Sequence, residues 1–483
     1  MIFNSLQYMI FFPIVVGLYF LMPYRFRWVV LLASSYYFYM AWKPVYILLI
    51  IFSTVINYFV GLMMGKTNDD LKRKKYLMLT LVSNLFLLFL FKYFNFFNGS
   101  AKTVLEYLNL PFYLPQFKLL LPMGISFYTF QTLSYSIDIY RGTIRPEKHL
   151  GIFALYVTFF PQLVAGPIER SENLLPQFRE HHDFDYKLVT NGLKLMAWGL
   201  FKKVVIADRV SVLVNVVYND VYTYTGFPLI FATLLFAFQI YCDFSGYSDM
   251  AIGSAQVMGF RLMENFKRPY FSRSISEFWK RWHVSLSTWF MDYVYIPLGG
   301  NRVVKWRWYY NLLITFLVSG LWHGANWTFV AWGALHGLYQ IIGISTRNMR
   351  ERFVRLIKLD KLPFLHKLIQ VMITFTLVCF SWIFFRANSI TEAIYVIKNM
   401  FVGSFENLYD QALLLGLDSF QLKLAIISIG VMELGHLIQE KISIRALIET
   451  KPMIVRWLLY YILIMWIMIF GSFGSQEFIY FQF

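Results

Sequence analysis

In a chain of 483 residues, 58% are hydrophobic and 15% are charged, against about 25% charged in an ordinary soluble domain, which excludes a soluble globular protein. The formal net charge of +17, from 44 Lys and Arg against 27 Asp and Glu, sits largely in short loops between apolar runs. It therefore reads as orientation bias and contact with anionic membrane lipids, and nucleic-acid binding is set aside.

The pattern predicts one all-α, polytopic membrane domain over residues 1–483, with about 11 to 13 transmembrane helices plus re-entrant or interfacial helices. In chain order, spans are expected near 6–22, 28–42, 45–64, 76–93, 119–140, 151–165, 189–215, 228–257, 309–341, 369–386, 420–438 and 457–471. The first has no Lys or Arg before it and no small-residue cleavage site after it, so a retained span is expected rather than a removed signal peptide. The ninth is long enough to be tilted, kinked or two shorter pieces. The loop 66–75 carries five basic residues against two acidic. Loops 141–149, 347–367 and 441–456 are basic as well, so all four are expected in the cytoplasm. Counting outward from them puts the N-terminus and the aromatic tail, residues 472–483, on the extracytoplasmic side.

Between 258 and 308, Lys267, Arg268, Arg273, Lys280, Arg281 and His283 interleave with Tyr270, Phe271, Phe278, Trp279, Trp282, Trp289 and Phe290. Short re-entrant pieces buried in protein and amphipathic helices lying on the headgroups both fit this pattern. Earlier, the run from Pro161 to Arg170, with Gly166 and Pro167, reads as a break at the end of a span. Without an internal repeat, inverted-repeat transporter architecture gains no support.

An ionisable side chain within a membrane run marks function by default. His323 is the foremost, in Leu317-Val318-Ser319-Gly320-Leu321-Trp322-His323-Gly324-Ala325-Asn326-Trp327. On one helix, Ser319, His323 and Asn326 share a face and suggest a polar passage. Two readings of His323 stand: a histidine hydrogen-bonded between helices, or a neutral imidazole that takes a proton from a hydroxyl. Gly320 with Gly324, and Gly333 with Gly337, read as packing positions.

His283, in Phe278-Trp279-Lys280-Arg281-Trp282-His283, lies among cations that could meet the phosphates of a nucleotide-bearing donor, or is structural. His336 follows His323 by 13 residues, about 220° around an unbroken helix, and there points elsewhere. His149, His181, His182, His366 and His436 read as interfacial. Asp243 and Asp249, in Asp243-Phe244-Ser245-Gly246-Tyr247-Ser248-Asp249, are costly in a span unless paired or wet. Their spacing puts them on different faces, so they are expected to brace or line a cavity. Cys242 and Cys379 read as reduced packing residues, and no compact metal-ligand spacing occurs, so metal catalysis is disfavoured.

These segments resemble the membrane-bound O-acyltransferase family, and within it the bacterial polysaccharide O-acetyltransferase branch typified by the alginate enzyme. The resemblance is carried by Phe159-Phe160-Pro161-Gln162-Leu163-Val164-Ala165-Gly166-Pro167-Ile168, the Asp243 to Asp249 run and Ser276-Glu277 with the run through His283. Tyr295-Ile296-Pro297-Leu298-Gly299-Gly300-Asn301, Gly320-Leu321-Trp322-His323-Gly324-Ala325 and Ser381-Trp382-Ile383-Phe384-Phe385-Arg386-Ala387 continue it. It implies His323 as the principal catalytic histidine, His283 as the second motif histidine, and helices around a central tunnel in a bacterial inner membrane. It also implies acetyl-CoA as cytoplasmic donor, a polysaccharide acceptor and an extracytoplasmic acetyltransferase or esterase-like partner.

The tail residues Phe478, Tyr480 and Phe483 are similar to the Phe-x-Tyr-x-x-Phe ending of the small partner protein in teichoic-acid D-alanylation, which implies an acyl-carrying role for Tyr480. Anchoring in the interface is the alternative. Three functions follow for testing: polysaccharide O-acetylation, D-alanyl transfer from a carrier-protein thioester, and a non-catalytic transporter.

Overall fold

In the computed structural model, residues 1–111, 115–117, 120–403, 405–473 and 478–479 are described. Among them secondary structure is helical throughout, without a strand, and each of the twelve expected apolar runs overlaps a helix. Among the described residues six helices are long and apolar enough to cross a membrane: Pro44–Lys66, Asp70–Tyr107, Phe227–Val257, Pro363–Arg386, Ser419–Gln439 and Met453–Phe470. In the last, only 6% of the apolar window is buried in protein, so its surface suits lipid rather than water.

The chain groups into two compact units, 1–195 with 251–264, and 196–250 with 265–483. The first unit holds its helices together partly through polar side chains, as hydrogen bonds between membrane helices do. Ser53 Oγ donates to Asn84 Oδ1 (2.7 Å), Asn84 Nδ2 donates to Asn57 Oδ1 (3.2 Å), and Ser136 Oγ donates to the same oxygen (2.9 Å). That links Ile47–Lys66, Asp70–Leu88 and Ile125–Arg141. The expected break after Leu163 is present. Beyond it, Glu169 is buried and accepts from Asn173 Nδ2 (2.6 Å) and the Met263 amide.

In the second unit the ninth expected run resolves into two helices, Lys305–His323 and Trp327–Ser345. They form an antiparallel hairpin whose backbones touch through glycine. A Cβ on Gly320 would lie 2.3 Å from the Phe329 carbonyl oxygen, and one on Gly333 2.3 Å from the Phe316 carbonyl oxygen. The small-residue pairs in the sequence are thus packing positions.

Residues 275–295 are short helical pieces, and Phe278, Trp282 and His283 on them are 0–1% exposed. Burial in protein, rather than a position on the headgroups, accounts for their polar and aromatic mixture.

Candidate active site

The Lys305–His323 helix ends on His323, because Gly324 turns the backbone to extended geometry (φ −159°, ψ 147°). The imidazole is 2% exposed, and its Nδ1 lies 2.7 Å from the Ser319 carbonyl oxygen one turn back. A carbonyl only accepts, so Nδ1 carries the proton, and in the neutral ring Nε2 is the basic nitrogen. Trp322, Trp332 and Phe385 surround the ring edge to face, with centroids 5.1, 4.8 and 5.6 Å away. The described side-chain neighbours of the ring are thus largely aromatic.

His283 lies beyond Trp322, whose ring centroid is 6.2 Å from its own, and packs edge to face on Phe244 at 4.6 Å. Its backbone sits at φ +43°, a left-handed conformation costing a non-glycine residue about 1 to 3 kcal/mol. Asn265 over-determines the turn. Its carbonyl accepts from the Val284 amide (3.0 Å), and its Oδ1 from the Ser285 amide (3.2 Å) and hydroxyl (2.9 Å).

His336 belongs to the same cluster, with its ring 4.9 Å from Trp332. It would point elsewhere only on an unbroken helix, and the helix breaks at Gly324. The Trp279 indole N–H donates to its Nδ1 (3.2 Å) and Nε2 faces Ser381 Oγ at 2.9 Å. Because an indole only donates, Nε2 carries the proton, and both nitrogens are engaged in bracing.

The same break corrects the one-face reading of Ser319, His323 and Asn326. Asn326 is the N-cap of the next helix, its side chain accepting from the Thr328 amide (3.1 Å) and donating to the Asn388 carbonyl (2.9 Å). Ser319 serves His323 through its backbone. His436, expected at the interface, is instead 5% exposed, with Nε2 3.2 Å from the Tyr241 hydroxyl.

Asp243 and Asp249 lie on Phe227–Val257 and meet different cations, as their spacing implies. Lys203 Nζ sits 2.7 Å from Asp243 and 2.8 Å from Asp208, while Lys202 Nζ sits 2.7 Å from Asp249 and 2.9 Å from Ser245 Oγ. Both lysines occupy a widened π turn, Phe201–Ala207. Glycine lets it approach: a Cβ on Gly199 would lie 2.5 Å from the Gly246 carbonyl oxygen. Sequence reasoning missed Lys202, Lys203 and Asp208, although charges inside the 189–215 run were the signal.

Nearer the chain surface, Glu440 accepts from Arg281 (2.8 Å) and Arg268 (3.2 Å). Partial burial works against its ionisation, yet the two guanidiniums hold its carboxyl below the usual range. Lys267, Arg273 and Lys280 of the same segment remain exposed.

Tyr480 lies outside the described residues. The two residues before it are described and buried. The Phe478 ring is 4.8 Å from Tyr247 and 5.8 Å from Phe244, and the Ile479 amide donates to Asp243 Oδ2 at 2.8 Å.

Residues 31–387 match the MBOAT, membrane-bound O-acyltransferase, family. The chain belongs to that family. This membrane-bound O-acyltransferase is 41% identical over 401 residues to the probable alginate O-acetylase AlgI of Pseudomonas syringae pv. tomato, covering 81% of this chain and 74% of that protein. It is 36% identical over 404 residues to the peptidoglycan O-acetyltransferase of Helicobacter pylori, covering 77% and 73%. To the teichoic acid D-alanyltransferase of Streptococcus thermophilus it is 31% identical over 236 residues, covering 46% and 56%. The chain is thus an O-acyltransferase, which sets aside the non-catalytic transporter, and a multi-pass protein of the bacterial inner membrane. Among the described residues no group of three or more His, Cys, Asp or Glu is arranged to hold a metal ion.

Proposed function

We propose that this acyltransferase moves acetyl from cytoplasmic acetyl-CoA across the membrane for O-acetylation of an extracytoplasmic polysaccharide, with His323 as base and Tyr480 as carrier. The observation that carries this reading is the Nδ1–H bond to the Ser319 carbonyl, which leaves Nε2 as the proton acceptor. A phenol of pKa about 10 is a poor nucleophile at neutral pH, so it needs such a base.

His323 Nε2 takes the Tyr480 proton while the phenolic oxygen bonds to the thioester carbonyl carbon. The C–S bond then breaks, and the imidazolium returns its proton to the departing thiolate, giving a tyrosyl acetate and free CoA thiol. An extracytoplasmic acetyltransferase or esterase-like partner passes the acetyl group to a polysaccharide hydroxyl and restores the phenol. We assign His283 to the donor side, with the cations of 267–281 suited to the phosphates of CoA.

Helix lengths support the sidedness this needs. Leu150–Thr158 has nine residues, a rise of about 14 Å against a hydrocarbon core of about 30 Å. We therefore read it as not crossing and the Lys305 to Ser345 hairpin as crossing twice, a count under which the tail is extracytoplasmic and the basic segment 265–281 faces the donor.

The test is incubation with labelled acetyl-CoA and mass analysis of the C-terminal peptide. Label on Tyr480 in the wild type, absent in His323→Ala, is the expected result; full activity in Tyr480→Phe would rule the carrier out. A second reading, D-alanyl transfer, is favoured by similarity to the D-alanyltransferase over part of the chain. It predicts label from a D-alanyl carrier-protein thioester and none from acetyl-CoA.

A further inference from the structure

The C-terminal segment is held at two places on one charged scaffold. At its root, the Ser472 amide donates to the Val204 carbonyl (2.8 Å) and Arg209 donates to the Phe470 carbonyl; Val204 belongs to the π turn that carries Lys202 and Lys203. Toward its end, the Ile479 amide donates to Asp243 Oδ2, while Lys203 pairs with the other oxygen of the same carboxylate. Phe478 and Ile479 are each 2% exposed. Phe478 rests on Tyr247 and on Phe244, the ring that packs against His283.

A carboxylate fixed by one ammonium group and presenting its second oxygen to a backbone N–H is an acceptor that recognises main chain, whatever the side chain. Lys203 is itself fixed by Asp208, so the acceptor cannot swing away to satisfy its charge elsewhere.

We propose that Asp243, steadied by Lys203, is the docking acceptor for the C-terminal tail, gripping it at Ile479 so that the next residue, Tyr480, is presented for acyl transfer. This rests on the reading of Tyr480 as carrier. Asp243, Lys203 and the Ile479 amide act here as positioning groups, through the tail they hold. The aromatic pocket of Phe244 and Tyr247 supplies grip, and the charged hydrogen bond supplies register.

Proline at 479 removes the one N–H and leaves every charge in place. In the full-length protein in detergent, Ile479→Pro should raise hydrogen exchange of the tail amides and lower kcat and Tyr480 labelling about ten-fold or more, the worth of a charge-assisted bond. The KM for acetyl-CoA should stay put. Ile479→Val, which keeps the amide, should restore the rate relative to proline. Asp243→Asn, which leaves Lys203 paired with Asp208, should give an intermediate rate with faster tail exchange. Unchanged exchange and kcat in both Ile479→Pro and Asp243→Asn would overturn the docking site. If instead exchange responds to these variants but Tyr480→Phe is fully active, the docking site stands and its role in presenting a carrier is overturned.

Discussion

His323 and Lys203 are buried to the same extent, each 2% exposed, yet their surroundings have opposite characters. The described neighbours of His323 include three aromatic rings and a backbone carbonyl; around Lys203 are two carboxylates within 2.8 Å. Under the proposed function His323 gains and loses its proton among aromatic rings. A group that must hold position is locked into it, because a buried charge stripped of its partner is very costly. Under the proposed function, the contrast separates a region built for reaction from one built for alignment.

Variants can break that contrast. The largest effect is expected for His323→Ala: acyl transfer should fall by about 10²- to 10⁴-fold, the range for a positioned base, while the protein still extracts from the membrane as a folded monodisperse species. Misfolding on the scale of a core ion-pair mutant would instead make His323 a structural residue. Lys203→Met leaves Asp208 and Asp243 facing each other without their shared cation. It should cost about 3 to 5 kcal/mol, read as lost folded yield or a lower denaturation temperature. Adding Asp208→Asn should recover part of the loss; full stability in the single variant would mean that the network is wet rather than locked.

A smaller effect tests the scaffold between them. Gly320→Ala places a methyl 2.3 Å from the Phe329 carbonyl oxygen, so the hairpin must part. The expected cost is about 1 to 3 kcal/mol, with loss of activity because His323 sits one turn further on. The smallest effect concerns Glu440. Its carboxyl is held below the ordinary value of 4.5, so its contribution is present in full above that pH and fades as pH falls through the lowered native value. The stability advantage of wild type over Glu440→Gln should therefore shrink on acidification below about 4.5, measured by denaturation temperature against pH.

The helical elements were legible in the sequence because a bilayer leaves so few alternatives. The Trp322-His323-Gly324 segment was legible for a related reason, since an ionisable group in an apolar run stands out. Less legible was where the helix stops. Ser319, His323 and Asn326 have the spacing of one face; the length of the ninth run allowed two pieces, and Gly324 followed by Asn326, a good N-cap two residues before Thr328, marked where they part. The Lys202 and Lys203 pair was overlooked among Phe201, Val204, Val205 and Ile206, though the rule applied to Asp243 and Asp249 covers it equally. That these acids and lysines meet depends on contact across 40 residues of chain, which local pattern does not encode.

The bond from His323 Nδ1 to the Ser319 carbonyl uses main chain, not a side chain. Mutational drift at position 319 can therefore alter the residue without erasing the acceptor. Under the proposed function, the nitrogen that takes the proton is thus inherited from the curl of the helix, and robustness of the base is a property of backbone shape, more vulnerable to a bend than to a substitution at 319.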